Sequence, residues 1–180
     1  MKIARWVLPL VVFLSTFAMA SHKTYSYPEH GFSMILPLRN DVEIEVDGSE
    51  TSYTYSEGPE DADGMVWQMD MVTVTEGVDY SQVKDAHSMI EDLWAHLVAK
   101  KNIDPIGPLH YSKDADGNEI ATFEAALHSE TDGKKIETHF TMRYVAVLST
   151  RRLYEISVLR NFDEKINDFD FIDSFKLLKR

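Results

Sequence analysis

Between residues 79 and 101 the spacing of apolar side chains changes from two to 3.6, and on either side of that stretch it is two. Val83, Ala86, Ile90, Leu93, Trp94, Leu97 and Val98 fall on one helical stripe, with Lys84, Asp85, Glu91 and Asp92 away from it. Asp79, three residues before Gln82, predicts a capping start, and Lys100-Lys101 stand where the helix dipole favours positive charge. Asn102, Pro105, Gly107 and Pro108 stop the helix and form the link to the second half of the chain.

Ahead of this helix the pattern predicts strands at 32–36, 42–46, 51–56 and 65–75, separated by Pro37, by Asp47-Gly48 and by an acidic stretch at 57–64. Val42-Glu43-Ile44-Glu45-Val46 alternates strictly, which predicts one wet face and one dry face. Along 65–75, Met65, Trp67, Met69 and Met71 share one side and Val66, Val72 and Val74 the other, so both sides should be at least partly covered. Behind the helix, strands are expected at 109–113, 119–128, 135–149 and 152–160, with Asp116-Gly117 and Asp132-Gly133 as hairpin turns. Ile136, Thr138, Phe140, Met142, Tyr144, Ala146 and Leu148 line one side of 135–149 and Val145 and Val147 the other, the mark of a central strand covered twice. Phe162, Ile166, Phe169 and Ile172 predict a second, shorter helix over 163–174. Strands, helix, strands and helix in that order define an α+β domain with helices laid on a mostly antiparallel sheet. Neither an internal repeat nor a linker divides it.

Residues 1–20 have a basic start at Lys2 and Arg5, an apolar run from Trp6 to Phe17, and Ala18-Met19-Ala20 at the end. These are the parts of a secretory leader cut after Ala20, which predicts one domain over 21–180, periplasmic or secreted and without a membrane anchor after cleavage. The 180 residues are 44% hydrophobic and contain no cysteine. Core packing must therefore hold the exported part together, and disulfides, zinc-thiolate sites, thiol catalysis and lipid attachment through cysteine are all excluded. A formal charge of −12 argues against nucleic acid and anionic membranes as partners, and losing Lys2 and Arg5 with the leader makes the remainder more acidic still.

Three pieces of the chain resemble one known family. Tyr27-Pro28-Glu29-His30-Gly31-Phe32-Ser33-Met34-Ile35-Leu36-Pro37 is similar to the opening of PsbP-like domains, where a glycine, an aromatic and a serine lead into alternating hydrophobics and a proline. Arg152-Leu153-Tyr154-Glu155-Ile156-Ser157-Val158 resembles their late tyrosine-bearing strand, and Phe171-Ile172-Asp173-Ser174-Phe175-Lys176-Leu177 resembles their closing helix. The family includes extrinsic subunits of photosystem II, a nuclear partner of the Ran GTPase and exported bacterial proteins of the DcrB type. The resemblance implies an antiparallel sheet between helices, an α/β/α sandwich, and a noncatalytic binding or assembly role. It transfers no functional residue, because the matching positions are a turn glycine, a strand aromatic and core phenylalanines.

The candidate chemistry is sparse. Asp114-x-Asp116-x-Asn118 has the spacing with which calcium loops begin, but Glu119 stands where their glycine belongs and Ala125 where their last carboxylate belongs, so a hairpin turn explains it better. The acidic stretch 57–63 reads as a solvated loop with at most weak cation binding. Trp67, Met69 and Met71 on one strand face would suit Cu(I), or would simply fill a core. His87 and His96 point to nearly opposite sides of one helix, whereas His128 and His139 flank a hairpin with Glu137 nearby, still short of a zinc ligand set. No nucleophile elbow, Ser-x-x-Lys, zinc-protease helix, dinucleotide fingerprint or phosphate loop occurs. The expectation is a noncatalytic module without cofactor that recognises another protein at the cell envelope, through its acidic surface or a groove between helix and sheet. The alternatives are a carrier of a small ligand or metal, Cu or Ca, and a hydrolase of unrecognised type.

Overall fold

The computed structural model describes residues 22–37, 42–57, 68–82, 86–100, 102–131, 134–160 and 171–179. The leader, Trp67, most of the acidic stretch and the first part of the expected second helix fall outside the described residues.

Among the described residues, two antiparallel sheets and two α-helices make up the architecture. A small sheet has the order β1 (His22–Tyr27), β2 (Phe32–Pro37), β11 (Lys176–Leu177). A large one runs β3 (Glu43–Asp47), β4 (Glu50–Glu57), β5 (Gln68–Glu76), β10 (Arg152–Arg160), β9 (Lys134–Val147), β8 (Glu119–Thr131), β6 (Ile103–Pro105), with β7 (His110–Lys113) also paired to β8. The helices are α1 (Ala86–Val98) and α2 (Phe171–Ser174). The class is α+β with a mostly antiparallel sheet, as the periodicity predicts.

Each face of the large sheet carries its own core. On one, Phe32, Met34 and Leu36 of β2 and Phe171 and Ile172 of α2 press on Tyr53, Val72, Val145, Tyr154 and Ile156. On the other, α1 sends Ala86 and Ile90 onto Phe123, Phe140, Tyr144 and Leu153. Ala121, Ala125 and Ala146 are fully buried there, and their small side chains let the helix approach while Trp94 lies 4.1 Å from the Phe123 ring. β9 is covered on both sides, with Tyr144 and Ala146 under the helix and Val145 and Val147 under the small sheet.

Several expectations need correction. The layer over the first face holds, beside α2, a three-stranded sheet that the resemblance did not announce. Of 163–174, only Phe171–Ser174 is described, and it is helical. The first helix is shorter than 79–101. A single 3-10 turn at Tyr80–Gln82 precedes it, and Asp79 caps that turn through Ser81, whose N–H and hydroxyl donate to the carboxylate at 3.0 and 2.6 Å. α1 packs over β6 and β8, which leaves Leu93 37% exposed and outside the buried stripe. Residues 103–105, read as link, form an edge strand on β8. β3 has no dry side, because all five of its residues are exposed.

Candidate functional site

The three pieces that carry the family resemblance meet at one junction. The turn between β1 and β2 closes by donation from the Gly31 N–H to the Tyr27 carbonyl at 2.8 Å, with Gly31 at φ +75°. Tyr154 donates its hydroxyl to the His30 carbonyl at 2.7 Å, and Arg152 Nη2 donates to the Glu29 carbonyl at 2.7 Å. The same nitrogen lies 2.6 Å from Glu76 Oε1, which also faces His30 Nδ1 at 3.3 Å. Phe32 stacks on Phe175 at 5.5 Å, and the Leu178 N–H donates to the Gly31 carbonyl at 2.8 Å. These residues bind one another, so their work is to lock the small sheet onto the large one.

A cavity of about 400 Å³ opens beside this junction, lined by Arg152, Tyr154, Asp116, Ser149, Thr150 and Lys179 among others. Its lining among the described residues includes no histidine.

The predicted site residues separate. Asp114 Oδ1 accepts from the N–H groups of Asp116 and Asn118, both at 2.9 Å, and Oδ2 from Asn118 Nδ2 at 2.8 Å. Burial pushes this carboxyl up, but its hydrogen bonds outweigh burial and hold it below the usual carboxylate range. Its oxygens thus serve their own turn, and the calcium-like spacing of Asp114, Asp116 and Asn118 is that of a hairpin. Met69 and Met71 lie half-buried on the α1 side of the sheet, beyond the helix. Met71 stands opposite Ser157, whose other neighbour is Met142. The Ser157 hydroxyl is fully buried and makes no hydrogen bond.

His128 and His139 come together as the hairpin predicts. Glu137 joins them, 2.9 Å from His139 Nε2 and 3.6 Å from His128 Nδ1, and Asp104 takes His128 Nε2 at 3.0 Å. Asp104 and Glu137 use opposite nitrogens of one ring, so the groups form a string without a common centre. Among the described residues no three His, Asp or Glu side chains could hold a metal ion. His87 packs on the Tyr111 ring at 3.7 Å.

One group has no motif to announce it in the sequence. Glu155 points to the α1 side of β10 between Thr73 and Tyr144, where burial raises its carboxyl above the usual range, against the Tyr144 hydroxyl that donates to it and with the charge of Glu50 adding to the rise. Strand parity with Leu153 and Ser157 was the signal for its position.

The most exposed apolar side chains of the described sheets lie on β3, the outermost strand beyond β4. Ile44 is 56% exposed and Val46 68%. They share the side of the sheet that carries Tyr53, while Glu43, Glu45 and Asp47 project from the opposite side, with Glu50 next to Asp47 on β4. Gly48, at φ +60°, opens the two-residue turn that sets this register.

A solved structure shares this architecture. A point mutant of protein Mog1 superimposes with a TM-score of 0.50 at 12% identity, over 88% of this chain and 96% of that one. The Ran-binding protein Mog1p of Saccharomyces cerevisiae gives 0.47 at 13% identity, over 80% and 79%. At such identity the likeness is one of fold. No family model matches the chain. No curated protein matches it either.

Proposed function

We propose that the chain is a noncatalytic binding module of the PsbP-like, DcrB-type kind, exported with cleavage after Ala20, which recognises another protein at the cell envelope. The observation that carries this reading is β3, an outer strand with two aliphatic side chains in solvent and a row of acids behind them. The leader supports the address. The fold is also that of Mog1, a protein described as Ran-binding. Affinity capture from an envelope extract tests the reading: a partner should be retained at low salt, shed at high salt, and lost from the double variant Ile44→Asp, Val46→Asp. Equal capture by that variant would refute the role of β3. N-terminal sequencing of the exported protein should begin at Ser21.

A second reading, a Cu(I) carrier, is favoured by Met69, Met71 and Met142 on one half-buried face. Titration with Cu(I) decides it, since binding weaker than micromolar, or unchanged by Met71→Leu, ends the idea.

A further inference from the structure

We infer that β3 is a strand-addition site, and that its ligand is an extended segment of another protein in which basic and aliphatic residues alternate. The inference rests on the protein-binding reading and names the partner's chemistry.

Among the described residues β3 pairs with β4 on one side only, from Glu43 opposite Thr54 to Asp47 opposite Glu50. Its other edge presents the backbone groups of an extended strand, which an added strand would satisfy. Side chains then decide which strand is accepted. Residues directly opposite each other in an antiparallel pair share a face, so an incoming strand places alternate side chains beside Glu43, Glu45 and Asp47 and the others beside Ile44 and Val46. Lysine or arginine suits the first set and an aliphatic residue the second.

The same geometry excludes a second copy of this chain. Two β3 strands paired about a two-fold at Glu45 would set Glu45 against Glu45 and Glu43 against Asp47, and like charges directly opposite are destabilising. The net charge of −12 adds a long-range term of the same sign. β3 is thus closed to self-association and open to a basic strand.

The test is a titration of the ¹⁵N-labelled protein with a short capped peptide alternating lysine and valine. Two controls are a peptide of the same composition with its lysines in one block, and one with glutamate for lysine. Amide shifts should concentrate in β3 and β4, and the alternating peptide should bind about tenfold more tightly than the block peptide, three cross-strand ion pairs each contributing about twofold to threefold. The triple variant Glu43→Lys, Glu45→Lys, Asp47→Lys should reverse the preference toward the glutamate peptide, with its spectrum outside β3 and β4 unchanged as evidence of folding. Shifts spread over other strands, equal binding of the block peptide, or no reversal in the triple variant would overturn the inference.

A photo-crosslinker at Val46 and another at the exposed Leu148 separate this from the broader reading. A partner captured through Leu148 alone leaves a protein-binding module whose site is not β3, and the strand addition falls. Capture through Val46 of a segment with the alternating pattern supports it.

Discussion

At Gly31 the backbone takes φ +75° and a Cβ would stand 3.0 Å from Arg152 Nη1, on the guanidinium whose Nη2 holds Glu29 and Glu76. Gly48 has nearly the same dihedral, at φ +60°, but nothing within 4 Å. Gly31→Ala should therefore cost about 2–3 kcal/mol and Gly48→Ala about 1 kcal/mol, the difference being the displaced guanidinium. Urea unfolding of the two variants measures it, and equal losses would mean that Arg152 moves aside freely. Glu155 sets a second test. Its carboxyl is raised in the folded state, so it binds its proton more readily there than in the unfolded chain. Its contribution is present below the unfolded value and lost as the pH rises through the folded one. Glu155→Gln keeps an acceptor for the Tyr144 hydroxyl and carries no charge. It should raise the urea midpoint at about pH 7 and leave it nearly unchanged at about pH 3.

Along α1, Ile90 is fully buried and Leu93 is 37% exposed, although both lie on the stripe that the period of 3.6 defines. Ile90→Ala should cost about 3 kcal/mol and Leu93→Ala less than about 1 kcal/mol, again by denaturant midpoint. The contrast shows what periodicity contains. It marks which residues lie on one side of an element, as it did for α1, β5 and β9, because that information is local. It does not say how far the neighbouring layer extends, so the exposure of Leu93, Ile44 and Val46 had no signature. β1 and β11 were missed for a related reason: one alternates weakly, the other has only Lys176 and Leu177, and both exist by pairing with β2. The approach of His128 to His139 was visible because hairpin register sets it, whereas Asp104 reaches His128 through β6, which reads as a link. Asp114 belonged to its own turn, as the missing glycine and glutamate implied.

Taken whole, the molecule is an acid that must hold itself together without disulfides. At a formal charge of −12 its self-repulsion is long-ranged and open to screening, so raising sodium chloride from about 10 to about 200 mM should raise Tm by a few degrees. A fall in Tm would mean that local pairs such as Arg143 with Asp173, at 2.7 Å, outweigh the net repulsion. The small sheet also joins widely separated parts of the chain, since β2 takes one neighbour from residues 22–27 and the other from 176–177. Synthesis delivers these in sequence. Until residues 171–178 have left the ribosome, Phe32 has neither Phe175 to stack on nor Leu177 to pair with, and the core beneath Met34 and Leu36 stands open. The small sheet and the core it covers are therefore the last parts of the fold that synthesis can complete.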